Sequence, residues 1–227
     1  MKLCVLLPAF NEEKNISEVI REIKKIIPDV VVVDDGSADA TARFAEEAGA
    51  IVLRHAGNEG KGHALRTGFR YVIENNYAAA IILDSDGQHA PQEIKKFIAY
   101  AQGSDAGVII GNRMGEPEGM PLIRKLTNIV TSYFVSKIAG YRIPDSQCGY
   151  RLIKTEVLKA VKLSTEKYDT ESEILIEAAR NNFRIESIPV KSIYANQKSQ
   201  IRPVIDTLRF WKLIFRNLLK KNKNAVR

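Results

Sequence analysis

Short apolar runs, each ended by polar turn residues, alternate with longer stretches of helical period through the first half of the chain. This alternation predicts an α/β fold with a mostly parallel central sheet and flanking helices. "LCVLLP" (Leu3 to Pro8), "VVVVDD" (Val30 to Asp35), "AIVLRH" (Ala50 to His55), "AAIILD" (Ala79 to Asp84) and "AGVIIG" (Ala106 to Gly111) read as strands. Between them, Glu12 to Ile27, Ala40 to Ala48, His63 to Asn75 and Pro91 to Ala101 read as crossover helices. Pro91 and Glu93 suit a first helical turn, where an amide is dispensable and a negative charge meets the positive end of the dipole. Beyond Gly111 the rhythm loosens. "NRMGEPEGMP" reads as a loop, and Leu122 to Ala139 sets Arg, Lys and Asn into an apolar helical pattern. "QCGYRLI" (Gln147 to Ile153) and "FRIESIPVKSIY" (Phe183 to Tyr194) read as strands around two short helices. Pro203 to Lys221 carries Val204, Leu208, Trp211, Phe215 and Leu218 near one stripe, the pattern of an amphipathic basic helix.

In an open α/β sheet, ligands bind beyond the carboxyl ends of the strands, so the polar segments that close the apolar runs should converge. Those segments are "PAFNE" (Pro8 to Glu12), "DDGS" (Asp34 to Ser37), "NEGKG" (Asn58 to Gly62) and "DSDGQ" (Asp84 to Gln88). Asp84 and Asp86, one residue apart at a strand end, suit a hard divalent cation that shares its shell with phosphate oxygens, although Asp and Gly also occur in plain turns. Asp34 and Asp35 could accept hydrogen bonds from a ribose or a base edge, while Ser37 or Asp39 caps the next helix. "NEGKG" offers backbone amides and the Lys61 ammonium to phosphates, but it is not a Walker A loop. His55, His63 and His89 lack metal-ligand spacing, and only His89 lies beside the acids. Arg113, Arg124, Lys125, Arg151, Lys198 and Arg202 in the irregular half could supply a diphosphate pocket.

Composition narrows the partners. The 227 residues suit one large domain, and 34 Lys plus Arg against 27 Asp plus Glu leave a formal charge of +7, which favours phosphate, anionic lipid or nucleic acid. The basic residues are not interleaved with aromatics, which argues against nucleic acid. The two cysteines, Cys4 and Cys148, are too few for a disulfide framework, and the start "MKLCVLLPAFNEE" is neither a signal peptide nor a membrane span. A cytosolic setting is therefore expected.

The ordered set "PAFNE", "VVDDGS", "NEGKG", "LDSDGQHAP", "GNR" and "DSQCGYR" resembles the inverting family-two glycosyltransferases of GT-A fold, and within them the dolichyl- and polyprenyl-phosphate sugar transferases of the dolichol-phosphate mannose synthase type. The resemblance covers Leu3 to about Arg202. It implies a catalytic domain over residues 1–202, with a nucleotide-sugar-binding half (1–111) and an acceptor-binding half (112–202), followed by the basic helix of 203–227. It further implies that Pro8, Ala9, Asn11, Glu12, Asp35, Lys61, Asp84, Ser85, Asp86, Gln88, Arg113 and Arg202 contact the donor. Asp84, Asp86 and Gln88 would hold Mg²⁺ or Mn²⁺, and Arg124, Asn128 and Lys198 would meet the acceptor. Asp86, Asp145, Arg113 and Arg124 are the residues the resemblance places at the chemistry. Asn112 stands where the family often has Ser in "GSR", Asn128 where a Ser is often found, and Cys148 where a Ser is frequent.

The acceptor decides whether a base is needed. A hydroxyl must lose its proton during attack, and Asp145 is then the best-placed carboxylate, whereas a phosphate monoester has a second pKa near 6 and is already a nucleophilic dianion. The expected activity is metal-dependent inverting transfer of a hexose from a GDP-mannose or UDP-glucose type donor to a polyprenyl phosphate on the cytosolic membrane face. The alternative is transfer to a hydroxyl acceptor with Asp145 as base. Leu122 to Ala139 is expected beside the acceptor, and the tail helix either lies in the membrane interface or packs on the domain. "ILDSDGQ" is also similar to the DxDGT opening of haloacid-dehalogenase phosphatases, but that motif normally sits on the first strand and lacks the Gln at position 88. A non-catalytic binding module would not need both acids.

Overall fold

The computed structural model describes residues 2–115, 119–165, 167, 169–191 and 209–217. Seven strands, β1 (Leu3–Ala9), β2 (Val30–Asp34), β3 (Ile51–Arg54), β4 (Ala79–Ile82), β5 (Val108–Asn112), β6 (Arg151–Lys154) and β7 (Ile185–Pro189), form one sheet in the order β3-β2-β1-β4-β6-β5-β7. The pairs β1 with β2, β1 with β4, β2 with β3 and β5 with β7 are parallel, and β6 runs antiparallel to both β4 and β5. The helices are α1 (Ile16–Lys24), α2 (Thr41–Glu47), α3 (Lys61–Glu74), α4 (Ile94–Gln102) after a 3₁₀ turn at Pro91–Glu93, α5 (Leu122–Ala139), α6 (Thr155–Ala160) and α7 (Thr170–Arg180), with α8 over 209–217.

The central strands are buried on both faces, which is why they read as unbroken apolar runs rather than alternating ones. Helices cover the two faces, and α3 lies directly on β1 at Gly68. A Cβ there would sit 2.4 Å from Leu6 Cδ1, so the missing side chain sets the depth of helix packing. Several expected boundaries move: β6 starts at Arg151 rather than Gln147, β7 spans Ile185–Pro189 within the expected Phe183 to Tyr194, and two more lie at the site. The first helix begins at Ile16 rather than Glu12, because Asn11 takes a positive φ of 56° and residues after it form a turn. β4 stops at Ile82, so Asp84 lies in the turn beyond the sheet and not within the strand.

The described part of the tail packs on the domain. Phe210, Leu213 and Ile214 are buried, Arg216 pairs with Glu173 of α7 at 2.6 Å, Arg180 of α7 binds Asn217, and Trp211 meets Phe134 of α5 edge to face. Over residues 209–217 the face turned to the domain is that of Phe210, Leu213 and Ile214, with Trp211 against α5, whereas Phe215 of the expected stripe is 62% exposed; Val204, Leu208 and Leu218 lie outside the described residues.

Candidate active site

The carboxyl ends of β1, β2 and β4 meet as expected, and each is fastened to the next. Ser85 Oγ donates to the Pro8 carbonyl (2.9 Å), tying the acid turn to β1. Asp35 N donates to the Ala9 carbonyl, Asn11 N to Ser37 Oγ, and Glu12 N to Thr41 Oγ1. Asp39 accepts from Thr41 N, but the N-cap position of α2 falls on Ala40, which makes no side-chain cap, rather than on Ser37 or Asp39 as expected.

Asp84 and Asp86 experience opposite fields. Asp86 accepts from the Gln88 amide (2.9 Å), but burial, and then the charge of Asp84, push its carboxyl above the usual range. Burial also raises Glu12, with the charges of Asp86, Asp39 and Asp84 adding to it. For Asp84, burial is outweighed by Lys61 Nζ at 2.5 Å from Oδ1 and by His89 Nε2 at 3.6 Å from Oδ2, so its carboxyl is held well below the usual range. Gly149 closes the other side: a Cβ there would lie 2.8 Å from Asp84 Oδ2. Asp84, Asp86 and Glu12 give the turn an excess of hard oxygen donors that do not neutralise one another, which is the donor chemistry of a Mg²⁺ or Mn²⁺ site. Among the described residues no group of three or more His, Cys, Asp or Glu is arranged around a common metal position, so substrate phosphate and water would complete the shell.

Some predicted donor contacts are engaged inside the protein. Asp35 accepts from His55 Nδ1 (2.8 Å), Glu59 N (3.0 Å) and Gly60 N (2.7 Å), which fixes the turn that presents Lys61. Asp34 is likewise held, by Ser37 N and Arg54. An open depression of about 410 Å³ beside these strand ends is lined by Gly36, Ser37, Arg54, His55 and Ala56. Gln88 is half-buried at the acid turn, and its recorded hydrogen bond is the backbone one to Asp86.

The second half builds a separate cluster around Asp145. Its Oδ1 accepts from Arg113 Nη2 (2.8 Å) and Asn128 Nδ2 (2.7 Å), and its Oδ2 from Arg113 N (3.0 Å) and Nε (2.8 Å). A carboxylate offers about four acceptor positions, and all are filled here. Asp145 is completely buried; burial alone would raise its carboxyl, but the Arg113 and Asn128 bonds outweigh it and hold it low. Asn128, where Ser was the expected residue, is therefore a clamp on Asp145, and Ser132 Oγ donates to its Oδ1 (2.9 Å). Arg124 lies one turn before Asn128 on α5 and is half-buried. Burial pushes the Cys148 thiol up to about 12, which removes it as a nucleophile. Lys198 and Arg202 lie outside the described residues.

Two contributors were not predicted. Glu171, at the start of α7, binds Lys61 Nζ at 2.6 Å, and its acidic neighbours gave no sign that the chain buries it. Arg151, counted only as one of several basic residues, is fully enclosed. It donates to the Ser146, Cys148 and Glu171 carbonyls, clipping the Asp145 loop to α7.

A sheet that gathers a two-acid turn, a basic cluster and an open depression beyond its parallel strand ends is that of a GT-A glycosyltransferase. The Glycosyl transferase family 2 model matches residues 4–162, and the chain belongs to that family. It is 32% identical over 213 residues to the UDP-N-acetylglucosamine--dolichyl-phosphate N-acetylglucosaminyltransferase of Methanococcus voltae, covering 84% of this chain and 85% of that protein. It is 27% identical over 203 residues to the undecaprenyl-phosphate mannosyltransferase of Micrococcus luteus, covering 84% and 83%. The fold matches glucosyl-3-phosphoglycerate synthase from Mycobacterium tuberculosis, crystallised with Mn²⁺, UDP and phosphoglyceric acid, with a TM-score of 0.74 at 19% identity, over 96% of this chain and 78% of that one.

Proposed function

We propose that the protein transfers a hexose, with inversion, from a nucleoside diphosphate sugar to a polyprenyl phosphate at a membrane surface. The observation that carries this reading is the saturation of Asp145. With four hydrogen bonds accepted and its carboxyl held low, it has no position from which to take a hydroxyl proton. A phosphate monoester acceptor needs none: its oxygen attacks the anomeric carbon from the face opposite the leaving diphosphate, one C–O bond forms as the other breaks, and no proton moves. The polyprenyl- and dolichyl-phosphate acceptors in the names of two relatives support the same acceptor class.

Asp84 and Asp86 would hold the divalent cation, which supplies charge stabilisation to the departing diphosphate. Arg113, oriented by Asp145, and Arg124 place positive charge where two phosphate groups must approach one another. The solved relative holding both Mn²⁺ and UDP supports this division of labour.

The lipid reading is supported by α5, whose polar residues Asn128, Thr131 and Ser132 are buried while Leu122, Ile123, Leu126, Ile129, Val130 and Tyr133 are exposed. Leu122 and Ile123 are 77% and 76% exposed, far more than a helix packed only for stability leaves in water. The occupant proposed for this stripe is the bilayer that carries the acceptor, with Lys125 and Lys137 at its flanks to meet anionic headgroups. No described helix is long and apolar enough to cross a membrane, so binding would be interfacial. Incubating the protein with Mn²⁺, polyprenyl phosphate vesicles and, in turn, labelled GDP-mannose, UDP-glucose and UDP-N-acetylglucosamine tests the reading. One donor should yield an organic-extractable sugar lipid; donor hydrolysis without sugar lipid from any donor would refute it.

A further inference from the structure

Lys61 sits between two acids that belong to different halves of the chain. Its Nζ lies 2.5 Å from Asp84 Oδ1 and 2.6 Å from Glu171 Oε1, and its side chain is only 15% exposed. The placement is built: Asp35 fixes the Glu59 and Gly60 amides, Gly60 starts α3 and Lys61 is its first residue, while Arg151 holds the Glu171 carbonyl at 2.5 Å from the other side. Asp84 is one of the two carboxylates assigned to the cation. Lys61 sits on its Oδ1, and His89 Nε2 faces its Oδ2 at 3.6 Å.

An ammonium 2.5 Å from Asp84 Oδ1 and a divalent cation on the same carboxylate would lie within a few ångströms of one another in a desolvated turn, where their repulsion sets them in competition for Asp84. We propose that Lys61 is an internal counter-ion which the metal must displace from Asp84, and that Glu171 is the retreat that keeps its charge paired after the exchange. Without Glu171, the displaced ammonium would lose the carboxylate beside it in a desolvated place, and the exchange would be disfavoured. The device keeps Asp84 neutralised before donor arrives and couples metal entry to a swing of Lys61 toward α7. This rests on the assignment of the cation to Asp84 and Asp86.

Direct Mn²⁺ titration, followed by the EPR signal of free Mn²⁺ on the full chain with and without UDP, reads the exchange without reference to turnover. Lys61→Gln should bind Mn²⁺ about tenfold or more tightly than the parent chain in the absence of nucleotide. Glu171→Gln should bind it several-fold more weakly, because the displaced ammonium then has no carboxylate on α7 to move to. Lys61→Arg, which keeps the charge, should stay close to the parent and guards against a folding defect in the Gln variant. Unchanged or weaker Mn²⁺ affinity in Lys61→Gln, with UDP affinity reduced, would overturn the proposal and leave Lys61 as a phosphate contact only; unchanged affinity in Glu171→Gln would overturn the retreat. Asp86→Asn separates the two levels: if it retains full Mn²⁺ affinity, the metal assignment itself fails.

Discussion

The two halves of the molecule solve opposite problems with the same kinds of residue. In the first half, acids crowd the strand ends without enough partners: Asp86 and Glu12 are pushed up by burial and by one another's neighbours, so the site carries an unrelieved demand for positive charge. In the second half the key acid, Asp145, is saturated, and the unrelieved feature is apolar: the outward face of α5. Under the proposed function, the difference marks where each substrate would enter: a cation with its nucleotide would complete the first region, and a lipid phase would complete the second.

The largest effect should come from relieving the first region artificially. Asp86→Asn is expected to lower turnover by about 10²- to 10³-fold through loss of the metal site. The same change should make the fold more stable. A carboxyl raised above its unfolded value ionises first in the unfolded chain as pH climbs, so its charge costs stability at neutral pH, and removing it should raise Tm by a few degrees, about 1 kcal/mol. A calorimetric scan beside an assay checks both, and a fall in Tm would show that Asp86 is already compensated.

Next is the polar staple that carries the second region. Glu173 accepts from Ser164 N and Oγ, Thr165 N and Oγ1, and Arg216, joining α7, its preceding loop and α8. Burial raises its carboxyl, but the Ser164 and Thr165 bonds outweigh burial and hold it low. Its contribution is therefore present above the unfolded carboxylate range and is lost as pH falls through the depressed folded value. Glu173→Ala should cost about 2–3 kcal/mol in chemical denaturation, and Glu173→Gln should flatten the acid limb of the stability profile. An unaltered acid limb would assign that limb to other groups.

A smaller change should touch function without touching stability. Leu126→Glu with Ile129→Glu replaces two residues that are 62% and 48% exposed, so Tm should stay within about a degree. Vesicle co-sedimentation and the apparent KM for vesicle-borne acceptor should worsen by about tenfold per residue, the value of withdrawing one such side chain from an apolar phase. Equal binding by the variant would place the membrane contact elsewhere.

The same contrast explains what the sequence made legible. The first five strands lie within a few residues of their apolar runs; for β1, β2 and β4 this is because a strand buried on both faces must be apolar throughout, whereas β3 is an edge strand with Ile51 38% exposed. The acid turn was legible for the related reason that charge at the end of such a run needs a partner. The antiparallel insertion of β6 left no mark, since "RLIK" reads alike in either direction. Glu171 was missed because an acidic residue in "TESEIL" looks like solvated first-turn surface, and only the tertiary fold brings Lys61 to it. α5 was legible as a helix, but not as one turned inside out: Val135 and Ile138 on its buried side blur the contrast with the exposed stripe.

The central claim is that the acceptor is a phosphate and that no base takes a proton from it. The direct measurement offers one labelled donor to matched vesicles containing either polyprenyl phosphate or the corresponding free polyprenol. Labelled lipid should form from the phosphate alone. Transfer to the polyprenol at a comparable rate would mean that a base operates in this site and would contradict the account.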